Sequence, residues 1–310
     1  MALKWKSKIL LAKLETTYNT DAEPTAAANG ILATEITLTP MEGSDVSRNL
    51  EIPTLGAQGS VPIDVHAKLT FNVELAGSGV AGTAPAWGPL MRGCAVAETI
   101  TVDTSVTYNP VSDDHESLSV YFLIEGTQFV LTGARGNCTI DFTTSAIPYL
   151  KFEYWGLFNQ PSEETRVNPT LTAFKKPLAV TKANTPTFTL AGVSLVMRSL
   201  MLNLGNAVEP RFLVGSEGIL ITDKEESVET KVEAVPLGTL NPFTMAADQT
   251  DVAINLVHGL TAGNIATLAI AKAQMQRSQG LENAQNIVEW PLRLVPIPTV
   301  GNDQWSLTLT

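Results

Sequence analysis

The strongest formal candidate for chemistry is Gly77-Ser78-Gly79-Val80-Ala81-Gly82, which matches G-x-G-x-x-G. In a dinucleotide site such glycines let the backbone approach a pyrophosphate at a helix N-terminus. The motif also needs a buried parallel strand before it and an acidic residue about 20 positions on, at the end of the next parallel strand. The residues before it alternate instead. Ala67, Leu69, Phe71, Val73 and Leu75 share one face, and His66, Lys68, Thr70, Asn72 and Glu74 the other. That is a strand with one wet face, the habit of antiparallel sheets. Glu98 stands near the required distance but ends no apolar run, and Pro89 and Gly93 interrupt the helix that should follow. The expected role is a flexible loop leading into a short amphipathic helix that carries Trp87, Leu90, Met91 and Cys94. No cofactor is expected.

The other candidates are weaker. The histidines are His66, His115 and His258. The run Asp113-Asp114-His115-Glu116 offers metal-ligating types, but adjacent loop residues rarely converge on one ion, so an exposed acidic turn is expected. Neither G-x-S-x-G nor H-E-x-x-H occurs. Nothing points to a carboxylate pair for glycoside hydrolysis. Cys94 and Cys138 lack CxxC partners and read as two small buried hydrophobes, which fits a reducing compartment. The expectation is a protein without catalytic or metal-binding residues.

The totals bound the partners. The chain has 310 residues, 44% of them hydrophobic and 16% charged, enough for two domains or one large β domain. A net charge of −11 repels phosphate on average and disfavours sequence-specific nucleic-acid binding. Lys8 and Lys13 confine the early apolar run, so neither a signal peptide nor a membrane span of about 20 residues is expected.

The elements that must position these residues are short antiparallel strands. Residues 1–30 read as a polar, turn-rich arm that frays or orders on a neighbouring subunit. Strand patterns follow at 31–40, stopped by Pro40, and at 63–75. Four more are expected at 118–125, 128–132, 137–143 and 149–157. Glu125-Gly126 is a tight hairpin turn, and Gly133 and Gly136 bracket a second turn around Ala134-Arg135. There Arg135 reads as a solvated residue or one pairing with a neighbouring loop, with an inter-subunit salt bridge as the sharper possibility. Residues 223–233 read as a solvated acidic strand or hairpin. The proline-rich stretch 161–187 reads as a linker. Residues 188–310 then follow the scheme of residues 31–160: strand pair, short helix, strand, glycine turn, strand, loop, aromatic-bearing strand. The expected fold is mainly β: an antiparallel sandwich or barrel with a short flanking helix, duplicated in tandem.

Three stretches together resemble a known family. They are "LLAKLETTYNTDAEPTAAANGILATEITLTPMEGSDVSRNL", "VELAGSGVAGTAPAWGPLMRGCAVAET" and "GTQFVLTGARGNCTIDFTTSAIPYLKFEYWGLF". In this order they are similar to the major tail tube proteins of long-tailed bacteriophages, most closely the larger members from Mu-like or transposable siphophages. The resemblance implies a β-sandwich or open barrel whose inner sheets join around a ring. Rings stack into a virion tube, assembled in the host cytoplasm. Its implied partners are other copies of itself, the tape-measure protein, tail terminator and distal tail proteins, and double-stranded DNA passing without specific binding. Two fused tube domains imply a trimer with pseudo-sixfold symmetry, with a hexamer as the other arrangement. Gly77, Gly79, Gly82, Trp87, Arg135 and Tyr18 become candidate inter-subunit contacts. A β-sandwich binding module of the carbohydrate or adhesin kind is the alternative. It would need Tyr149, Phe152, Tyr154 and Trp155 on one face, whereas spacing puts Phe152 and Tyr154 opposite Trp155.

Overall fold

The computed structural model describes residues 4–310, so the first three residues of the expected arm lie outside it. The chain is mainly β and antiparallel, with two short helices among the described residues. The first half opens with β1 (Lys8–Leu14), β2 (Gly30–Ile31), β3 (Thr34–Ser47) and β4 (Ser60–Glu74). Helix α1 (Gly88–Arg92) precedes β5 (Val96–Thr101), β6 (Ser105–Pro110), β7 (Leu118–Ile124), β8 (Thr127–Thr143) and β9 (Tyr149–Phe158). After β10 (Ser162–Glu163) come β11 (Thr187–Leu190), β12 (Val193–Ser194) and β13 (Met197–Asn203). A separate hairpin, β14 (Asn206–Leu213) and β15 (Ser216–Lys224), leads to β16 (Ser227–Glu233) and α2 (Pro242–Ala247). The chain finishes with β17 (Asp251–His258), β18 (Ala266–Met275), β19 (Glu282–Ala284), β20 (Ile287–Pro296) and β21 (Ser306–Leu309).

In the first half the ladder runs β3–β4–β9–β8–β7–β1, and in the second β13–β16–β20–β18–β17–β11. Strand alternation drives both. Ala67, Leu69, Phe71 and Val73 of β4 are buried, as are Val228, Thr230 and Val232 of β16. So residues 223–233 form the end of β15 and a strand with one buried face. The main core cluster spans both halves, with the Phe142 ring meeting His258 edge-on at 5.8 Å, and a small second cluster holds Ile9, Leu11 and Leu123.

Several local expectations change. Pro40 does not stop its strand, because β3 pairs on one side with β4 alone and irregular register between Thr39 and Glu42 absorbs the missing N–H. The Gly133–Gly136 turn is not a turn. β8 runs straight through it as a bulge, Gly133 taking φ +57° beneath the Tyr18 ring. In the stretch read as an arm, β1 pairs along its whole length with β7 and buries Ile9, Leu10, Leu11 and Ala12. Residues 161–187 lie along the first half, with backbone bonds from Thr170 to Ala26 (2.8 Å) and from Val180 to Ala146 (2.9 Å). Glu125-Gly126 does form a two-residue hairpin turn between Ile124 and Thr127.

Candidate functional site

The glycine loop is built for close backbone contact. A Cβ at Gly77 would collide with the carbonyl of Gly263, and the Gly79 N–H donates to that same carbonyl at 3.1 Å. Gly263 takes φ +87°, open to glycine at little cost, and its own Cβ would strike Gly79. Gly82 lies against the Thr101–Thr104 backbone. Behind the loop Trp87 is 1% exposed and its indole N–H donates to the Ala76 carbonyl at 2.8 Å. Leu90, Met91 and Cys94 are buried with it. The space beside Gly77 and Gly79 therefore holds backbone from the second half of the chain, and that beside Gly82 holds backbone of the first.

Tyr18 and Arg135 meet the second half in the same way. The Tyr18 hydroxyl accepts from the Ile219 N–H at 2.6 Å. Arg135 donates to the carbonyls of Ile219 (3.0 Å) and His115 (2.6 Å), and its guanidinium stacks 4.7 Å from the Tyr18 ring centroid. Burial raises the Tyr18 hydroxyl and pulls the Arg135 guanidinium below its ordinary value. All six residues expected at a subunit boundary thus have partners within the chain, five of them reaching across loops or halves.

Ile219 belongs to the β14–β15 hairpin, which leaves the second half and packs on the outer face of β4, β8 and β9. Phe212 sits 6.2 Å from the His66 ring, which in turn stacks on Trp155 at 5.3 Å. Asn206 donates to the carbonyls of Cys94 (2.7 Å) and Gly136 (2.9 Å). The Lys224 amine donates to those of Ala95 (2.6 Å) and Val111 (2.9 Å). Burial lowers that amine to about 8. His115 is held down by burial and by its neighbours Lys224 and Arg135, while Glu116 turns to a bidentate pair with Arg92 at 2.7 and 2.5 Å. The 113–116 run therefore points in different directions, and no group of three or more metal-ligating side chains converges among the described residues. Phe152 and Tyr154 are in the core, so no flat aromatic platform forms around Trp155.

The halves are stitched by two ladders. β8 pairs with β13, setting Thr143 opposite Ser199, Asp141 opposite Met201 and Thr139 opposite Asn203. The Asn137 amide adds a bond to Asn203 at 2.8 Å. β6 pairs with β21. Several strands pair on one side alone among the described residues: β3 only with β4, β5 only with β6 and β19 only with β20, besides the short β2, β10 and β12 and the β14–β15 hairpin. Met41 on β3 and Leu281, Ile287 and Val288 around β19 are exposed apolar residues beside two of them. Sequence reasoning missed these edges, as well as Asn206, Lys224 and Gly263. Only the glycine's position in "HGLTAGN" hinted at a tight approach. No helix among the described residues is long and apolar enough to cross a membrane. No protein-family model matches the chain, and no curated protein matches it significantly.

Proposed function

We propose that this chain is a structural virion protein that self-assembles into stacked rings, the tail tube of a long-tailed bacteriophage. The observation that carries the reading is a pair of open strand edges matching an edge pair already joined inside the chain. β9 and β20 are both ten residues long and hold the same place in their ladders. Laid over one another, they bring Tyr149 onto Ile287 and Trp155 onto Arg293. Tyr149 faces Asp141 of β8, and Ile287 faces Ala284 of β19. Trp155 faces Lys68, which faces Thr39 of β3; Arg293 faces Glu229, which faces Met201 of β13. So Ala284 corresponds to Asp141, and Thr39 to Met201.

Met201 and Asp141 are paired, while Thr39 and Ala284 are both free on that side. A second copy's β3 fits the β19 edge as β13 fits β8. We read the halves as a tandem duplication whose internal junction is repeated between chains. Such a head-to-tail contact closes into a ring when its rotation permits, and closure removes the exposed edges. With two units per chain, three chains supply six positions, which favours the trimer over a hexamer of chains. A net charge of −11 suits a conduit through which the tape-measure protein and then DNA slide without adhering. The tail terminator and distal tail proteins cap such a tube.

Electron microscopy of concentrated purified protein tests this. Rings or tubes whose top view counts six units from three chains are expected. Monodisperse monomers at every concentration, with none of the protein in virion tails, would count decisively against it.

A further inference from the structure

We infer that the β3–β4 arm of one copy lies across the outer face of the second half of its neighbour. There it fills the cleft between β13, β16, β20 and the segment 277–282. The inference rests on the ring reading above and adds a partner surface to it. Residues 42–65, the outer ends of β3 and β4 with the connection between them, hold the place that residues 204–226 hold between β13 and β16, and the two stretches are almost equal in length. The second is the β14–β15 hairpin, which covers the outer face of the preceding unit at His66, Arg135 and Trp155. The first shares a cleft with Pro210–Leu213 of that hairpin at its base, through Glu42, Gly43, Ser44 and Asp64, and beyond the base exposes Val46, Leu50, Ile52, Leu55 and Val61.

The face awaiting it is the counterpart of the one already covered. Its cleft, of about 360 Å³, is lined by Met201, Glu229, Lys231, Arg277, Glu282 and Arg293. Arg293 corresponds to Trp155 and Glu229 to Lys68. Charge matches as well. Residues 42–65 carry Glu42, Asp45, Glu51 and Asp64 against Arg48 alone. In the cleft Arg293 pairs with Glu229 and Lys231 with Glu282, both at 2.8 Å. Arg277 has no carboxylate partner among the described residues and supplies the uncompensated positive charge.

Cysteine cross-linking of the full chain tests this. By position, Ala57 in the arm corresponds to Ile219, which touches Arg135; Gln276, whose N–H donates to the Arg293 carbonyl, holds the place of Arg135 beside Trp155, and Arg277 follows it into the cleft. With a short bismaleimide, the A57C/R277C double variant is expected to give a ladder of oligomers on a denaturing gel, and neither single variant does. Cys94 and Cys138 are buried, so the unmodified chain gives none. The T39C/A284C pair reads the strand-edge contact independently. An edge ladder without an arm ladder overturns the arm placement and leaves the ring reading standing. Absence of both ladders overturns both.

Discussion

Met201 faces Asp141 across the ladder that joins the two halves, whereas Thr39 and Ala284, each paired on one side to Lys68 and Ile287, face no strand on the other. On the proposed duplication, one chain presents both sides of a junction of the kind it makes once internally. Unpaired backbone N–H and C=O groups in a row are a template for another strand, and natural edges without such a purpose are usually charged, short or covered. β3 has fourteen residues and no strand covers its outer edge, although Glu35, Pro40, Glu42 and Asp45 and an irregular register interrupt it, so the span around Leu38 and Thr39 is the part fit for pairing.

Placing charge on that edge separates folding from assembly. Thr39→Lys with Met41→Lys adds two cations on exposed positions. Ring formation, followed by size-exclusion chromatography and electron microscopy, is expected to be lost. The unfolding free energy of the monomer should change by no more than about 0.5 kcal/mol per site, as for other exposed positions.

Gly77 tests what the glycine loop is for. Gly77→Ala forces a Cβ into the Gly263 carbonyl and should cost about 1–3 kcal/mol by overpacking, seen as a lower melting temperature. Val80→Ala, at an exposed neighbour, should be near neutral. Adding NADH should leave both melting temperatures unchanged. A nucleotide-induced rise abolished by Gly77→Ala would restore the phosphate-loop reading.

Lys224 gives the β14–β15 hairpin a pH dependence. Its amine titrates at about 8 in the fold against 10.5 when unfolded, because burial disfavours the charge. Between those values the unfolded chain binds more protons, so this group's contribution to stability rises with pH. Thermal unfolding at pH 7.5 and 9.5 should show that gain in the native chain and a flatter response in Lys224→Met. The variant should also be less stable at both, since the Ala95 and Val111 carbonyls lose their donor.

His258 works at the acidic side. Its Nε2 lies 3.1 Å from the Leu178 carbonyl, to which it donates, and Nδ1 lies 2.9 Å from the Thr185 hydroxyl, so the neutral ring has a partner at each nitrogen. Burial pulls its pKa below 6.5, so its share of stability is present above 6.5 and is lost as pH falls through and below that value. His115 is depressed in the same direction. Melting curves at pH 7 and 5.5 should therefore show a smaller pH-dependent loss in His258→Gln than in the native chain, not the absence of one.

The β class, the Glu125-Gly126 hairpin and the helix around Trp87 were legible because each depends on a local period or a local turn preference. The alternation of Ala67 to Leu75 sufficed to remove the parallel context that a dinucleotide site requires. Gly133 was misread because αL glycine serves a turn and a bulge equally well, and only the partner strand tells them apart. Pro40 was misread because a proline ends a central strand but is tolerated on an edge, and edge status is a property of the whole sheet.

By itself the sequence determined which faces of which strands are apolar, since side-chain alternation is set by the backbone's own geometry. It also determined the acidic balance and the absence of a spaced catalytic motif. The tertiary structure alone decided which strands are neighbours, that Gly77 meets Gly263, and that β3 and β19 keep open edges while β13 and β8 are joined. Pairing across long separations is fixed by the combined register of many strands, and no short window of residues contains it.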